Sequence, residues 1–137
     1  MGYLSRVTGR IEITPPLPWR TVRDSKFLGA NVSIHGLDVR YEIAEDTRDT
    51  EDGVFVARSA MAVVNACGNE PCTAYYLAEH LAEICREITV AGSACSSYLV
   101  RSGDELGDIE RYGVGLDGEV VTERASLRWP DGSEVEA

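Results

Sequence analysis

Hydrophobic and polar positions alternate first at Val7, Gly9, Ile11 and Ile13, with Thr8, Arg10, Glu12 and Thr14 between them. A period of two is that of a strand with one buried face. Pro15, Pro16 and Pro18 are expected to end this strand, because proline supplies no ladder donor. Pro18 then opens a short helix with Trp19 and Val22 on one face, stopping near Lys26 ahead of a Gly29-Ala30-Asn31 turn. Leu37, Val39, Tyr41 and Ile43 alternate with Asp38, Arg40, Glu42 and Ala44, which predicts a second strand. The acidic run 45–52 continues it or forms the tip of a long hairpin, turning at Asp52-Gly53. Val54 to Val64 returns as a strand, and its segment Ala60–Val64 is apolar on both faces, as in a strand covered on both sides.

After a loop from Asn65 to Pro71 the period changes. Leu77, Leu81, Ile84, Cys85 and Ile88 make an apolar helical stripe, with Glu79, Glu83, Arg86 and Glu87 opposite, so a helix is predicted over 73–89 with Thr73 as its N-cap. Three strands follow: Ser96 to Arg101, Ile109 to Leu116 with Tyr112, Val114 and Leu116 on one face, and a return strand lined by Val121, Ala125, Leu127 and Trp129. Asp117-Gly118 joins the last two, Pro130-Asp131-Gly132 stops the sheet, and residues 133–137 are expected to fray. The predicted order is β-α-β-β-α-β-β-β. This is an α+β class with an antiparallel sheet, the 73–89 helix packed on one face, and a short N-terminal helix. At 137 residues and without repeat or linker, 1–137 reads as a single domain.

Charge changes this picture more than composition does. The chain carries 13 basic and 23 acidic side chains, a formal net charge of -10. Residues 1–28 hold five basic groups against two acidic ones, so the remainder holds eight against 21, a net -13. One acidic cluster is Glu42, Glu45, Asp46, Asp49, Glu51 and Asp52, and the second is Asp104, Glu105, Asp108 and Glu110. Such a balance argues against direct nucleic-acid or anionic-membrane binding by a basic surface. All basic residues but Lys26 are arginine, which codon bias in a G+C-rich genome accounts for more simply than a binding role. No apolar stretch approaches the roughly 20 residues of a membrane span, and Arg6 stands where a myristoylation motif at Gly2 needs Ser or Thr. The opening also lacks the apolar core of a secretory signal, so a cytoplasmic location and reduced thiols are expected.

Chemistry-bearing residues are sparse. Cys67, Cys72, Cys85 and Cys95 contain neither a C-x2-C zinc knuckle nor a redox C-x-x-C, and Cys85 belongs to the apolar stripe. Cys67 and Cys72, with His80 as a possible third ligand, are the nearest approach to a metal site; buried reduced cysteine is the plainer account. His35 and His80 have no adjacent nucleophile motif. The carboxylate runs lack the spacing of a calcium loop. Neither catalyst, metal nor cofactor is expected. The acidic hairpin offers a surface for a basic protein partner through Glu45, Asp46, Asp49, Glu51 and Asp52. An alternative is a small-ligand, nucleotide-type binder using Arg101, Arg111, Tyr112 and Trp129 around a pocket over the sheet, in which case a homo-oligomer would fit.

The opening MGYLSRVTGRIEITPPLPW, the acidic hairpin, the helical YYLAEHLAEI and the closing GDIERYGVGLDGEVV with LRWPDG resemble a group of small uncharacterised proteins from actinobacteria and their phages. The resemblance covers nearly the whole chain, and the opening is its most specific part. It implies a phage or phage-associated origin, with which the arginine bias agrees, and brings no catalytic activity with it.

Overall fold

The alternating apolar side of the first strand becomes the floor of the core: Val7, Ile11 and Ile13 are buried. The structure is a computed structural model and describes residues 3–68, 70–115 and 117–135. Strand β1 (Ser5–Pro18) is followed by α1 (Trp19–Val22) and α2 (Ala30–His35). The hairpin strands β2 (Val39–Thr50) and β3 (Gly53–Asn65) come next. Helix α3 (Leu77–Val90) then precedes β4 (Ala94–Gly103), β5 (Ile109–Val114) and β6 (Val120–Arg124). The six strands form one antiparallel sheet in the order β2-β3-β1-β4-β5-β6. The chain is therefore α+β. Val22, Val32, Leu77, Leu81, Ile84 and Ile88 from the helices share a single apolar cluster with Ile11, Val39, Tyr41, Val63 and Leu99 from the sheet.

Five expectations change. The prolines do not end β1, which runs on to Pro18. Their missing donors are absorbed because β1 leaves β4 after Thr14↔Ala94, and its register with β3 breaks between Glu12 and Leu17. The helix expected to reach Lys26 is a single turn, Trp19–Val22. The Gly29-Ala30-Asn31 turn instead opens α2, closed by Gly36 in the left-handed region, so the order gains a helix. Helix α3 starts at Leu77 rather than 73: Ala74 has φ 51, outside helical space, and Tyr76, not Thr73, is the N-cap residue. Tyr76 has no cap of its own. Asp38 reaches across from ahead of β2 and accepts the Tyr76 N–H at 3.1 Å, while its own N–H donates to His80 Nδ1 at 3.0 Å. That exchange ties the first turn of α3 to β2 and gives His80 a structural task. Finally, β6 stops at Arg124, and Val121, Leu127 and Trp129 are exposed rather than lining a core face. Leu116, the third residue of the β5 face, and residues 136–137 of the expected frayed end lie outside the described residues.

The helical stripe holds as read. Leu77, Leu81, Ile84, Cys85 and Ile88 are all buried. Glu87, on the expected polar side, is instead the acceptor for Ser25 Oγ at 2.8 Å and for the buried Tyr41 hydroxyl at 3.2 Å. Burial, with the Glu87 carboxylate beside it, pushes the Tyr41 hydroxyl well above the usual phenol range, so it stays a donor.

Candidate functional site

Strands β2 and β3 outrun the rest of the sheet. Their mutual register is continuous from Ala44↔Ser59 to Thr50↔Gly53, whereas the pairing of β3 with β1 begins only at Ser59. Among the described residues the hairpin from Glu45 to Arg58 therefore forms a two-stranded arm with no third strand beside it. Its turn is fixed by the Thr50 hydroxyl, which donates to the Gly53 carbonyl at 2.8 Å. On β2 the arm carries Glu45, Asp46 and Asp49, and at the turn Glu51 and Asp52, all exposed. The five acidic residues picked from the sequence thus share one element. Arg48 pairs with Asp46 and Arg58 with Glu45, which leaves Asp49, Glu51 and Asp52 as the outermost acids.

The sequence did not point to the opposite strand of this arm. Val54, Phe55 and Val56 are 67%, 59% and 48% exposed. A Val-Phe-Val run reads as core, and only the early end of β1 leaves it in solvent. The cross-strand pairs are Asp49↔Val54, Arg48↔Phe55 and Thr47↔Val56, so each apolar side chain lies next to a polar one on the same face.

At the base of the arm lies an open cleft of about 580 Å³. Trp19, Leu28, Tyr41 and Ile43 give it apolar walls, and Arg40, Glu42, Glu45 and Arg58 its polar rim. The Arg58 guanidinium stacks over the Trp19 ring at 5.3 Å, bracing arm to body. Arg10 Nη1 bridges to Glu42 at 3.0 Å. A volume of this size falls in the range of small-ligand sites.

Of the four residues proposed for a nucleotide-type pocket, Arg101 and Tyr112 come together in a buried cluster, and Arg111 and Trp129 lie elsewhere. Arg101 is 8% exposed and already satisfied. Its Nη2 bonds Asp108 Oδ1 at 2.7 Å and also pairs with Glu110; its Nη1 bonds Ser5 Oγ at 2.9 Å. Tyr3 closes this cluster, its hydroxyl donating to Asp108 Oδ2 at 2.8 Å and accepting from the Glu105 N–H at 3.0 Å. Arg101, followed by the Tyr3 hydrogen bond, holds the Asp108 carboxyl down at about 2. A side chain at Gly103 would overlap both Tyr3 Oη and the Asp108 carboxylate. Tyr112 is buried beside this cluster. Arg111, its neighbour in the strand, points to the other face, pairs with Glu123 at 2.8 Å and stacks over Tyr98 at 5.2 Å. Trp129 is exposed in the segment after β6. Asp108 and Glu110 of the second acidic run are thus counter-charges of one buried arginine, while Asp104 and Glu105 are exposed.

Among the described residues no group of three His, Cys, Asp or Glu side chains could hold a metal ion. Likewise, among them no helix is long and apolar enough to cross a membrane. The whole chain, residues 1–137, matches a family of unknown function, DUF6205. The chain belongs to that family. No match was found among curated proteins or among solved structures. Family membership assigns no chemistry, so the functional reading rests on the arm and the cleft beneath it.

Proposed function

We propose that this member of DUF6205 is a non-enzymatic binding protein, of phage or actinobacterial origin, that engages another protein through the β2–β3 arm. The observation that carries this reading is the arm's surface. Exposed Val54, Phe55 and Val56 sit on a projecting hairpin whose partner strand and turn carry Glu45, Asp46, Asp49, Glu51 and Asp52. Exposed apolar side chains rimmed by charge mark interaction sites in soluble folds. Two copies pairing arm to arm would bring like charges together, so the complementary partner is a basic segment with apolar side chains of its own. Long-range attraction by the arm would set the encounter, and Val54, Phe55 and Val56 would set the lifetime of the complex.

The test is capture from a host lysate with two baits, wild type and Asp46→Lys/Asp49→Lys/Asp52→Lys. The reading predicts one protein held by the wild type at low salt, released at high salt, and absent from the charge-reversed bait. Equal capture by both baits, or none at low salt, counts against it. The cleft under the arm supports a second reading, a small-ligand binder of nucleotide type, because Trp19 offers a ring surface beside Arg40 and Arg58. A nucleotide that raises the melting temperature of the wild type but not of Trp19→Ala would favour that reading over the first.

A further inference from the structure

The four cysteines, read from the sequence as reduced small apolar residues with Cys67 and Cys72 the one near-pair, are arranged as two pairs. Cys67 and Cys72 meet in the β3–α3 loop, and Cys85 of α3 meets Cys95 of β4, thiol against thiol in each case. The second pair joins two layers of the fold. Cys85 is wholly buried in the helical stripe, whereas Cys95 is half-buried and lines a cavity of about 210 Å³. The other walls are Thr89, Ser93, Val114 and Asp117, closed by Gly115 and Gly118 of the β5–β6 turn. A water molecule occupies about 30 Å³ of liquid, so a small peroxide fits this space.

The polar groups around the cavity are already engaged. Thr89 Oγ1 donates to the Cys85 carbonyl at 2.9 Å, Ser93 Oγ donates to the Pro15 carbonyl at 2.6 Å, and Asp117 Oδ1 accepts from the Glu119 N–H at 3.0 Å. The Cys95 sulfur is the nucleophile that the cavity presents. The hydrogen bond from Cys85 lowers the Cys95 thiol below its ordinary value and so favours its thiolate, the reactive form. Cys85 itself is pushed the other way by the same contact and by burial, and keeps its proton.

We propose that Cys95 is a peroxide-oxidised thiol and Cys85 its resolving partner, together forming a reversible bridge between α3 and β4. In the first step the Cys95 thiolate attacks a hydroperoxide. An S–O bond forms, the O–O bond breaks, and the departing alkoxide or hydroxide takes a proton from solvent. The sulfur is oxidised by two electrons and the peroxide is reduced. In the second step the Cys85 sulfur attacks the sulfenic acid. The S–S bond forms, the S–O bond breaks, and the hydroxide leaves as water with the Cys85 proton. The loop pair is less suited to start this chemistry: burial and the Cys67 thiol beside it push Cys72 up to about 12.

The experiment treats the reduced full chain with hydrogen peroxide, quenches it, and reads intact mass and peptide maps. The expected product has lost two hydrogen atoms, carries a Cys85–Cys95 cross-linked peptide, and returns to the starting mass with dithiothreitol. A Cys67→Ala/Cys72→Ala variant should form the same bridge, and Cys85→Ala, which also removes the hydrogen bond that favours the thiolate, should react more slowly and stop at a Cys95 sulfenic acid that dimedone labels. Bridging of Cys67 to Cys72 alone, over-oxidation of Cys95 while Cys85 stays free, or no reaction at Cys95 would each overturn the proposal.

Discussion

Gly9 shows how much one residue carries. The alternation of β1 counts it with Val7 and Ile11, yet it buries no side chain. Its φ is +90, and a Cβ there would lie 2.7 Å from the Tyr98 carbonyl oxygen of the paired strand β4. Gly9→Ala should therefore cost about 1–3 kcal/mol in urea unfolding, from the strained φ together with the backbone clash. Asp108 acts through charge. Its folded carboxyl lies near 2 against an ordinary value of 3.8, so the stability it contributes is full above about pH 4 and is lost as the pH falls toward 2. Urea midpoints measured across that window should drop for the wild type, and Asp108→Asn should remove part of that slope. In the sequence Asp108 is legible only as a charge, and Arg101 only as a candidate ligand contact. That they pair in a buried cluster depends on β4 and β5 being neighbours in register, with Arg101 opposite Glu110.

At the scale of elements, periodicity was legible wherever one face of an element is buried and the other wet. The inward sides of β1 and β2 and the stripe of α3 are where the alternations put them. Boundaries were not, because they depend on partners distant in sequence: the register break that admits the prolines into β1, and the Asp38 carboxylate that starts α3 at Leu77. The link between Glu87 and Tyr41 is of the same kind and gives a prediction. Glu87→Ala strands the buried Tyr41 hydroxyl and should lower stability by about 1–3 kcal/mol. In a Tyr41→Phe background the same substitution should cost clearly less, because only the Ser25 bond remains to be lost.

For the whole molecule, the acidity seen in the sequence resolves into two different things. In the second acidic run Asp108 and Glu110 turn inward to Arg101, where they belong to the fold. The first run stands on an arm that, among the described residues, lacks a third strand and shares its surface with Val54, Phe55 and Val56. The sequence showed the charges of this arm but not its exposed apolar strand, since nothing local to Val54–Val56 says where β1 stops supporting β3. Because Asp46, Asp49 and Asp52 are exposed and, among the described residues, Asp46 pairs only with the equally exposed Arg48, reversing the three should change folding stability by no more than about 0.5 kcal/mol.

The most direct test is the affinity of the captured partner, measured with purified proteins as a function of salt for the wild type and for Asp46→Lys/Asp49→Lys/Asp52→Lys. Binding through the arm predicts that wild-type affinity falls steadily as salt rises. It also predicts that the variant, equally stable, binds at least about tenfold more weakly at low salt, a loss of about 1.4 kcal/mol. Equal affinities for the two proteins at low salt, or a wild-type affinity that does not change with salt, would contradict it.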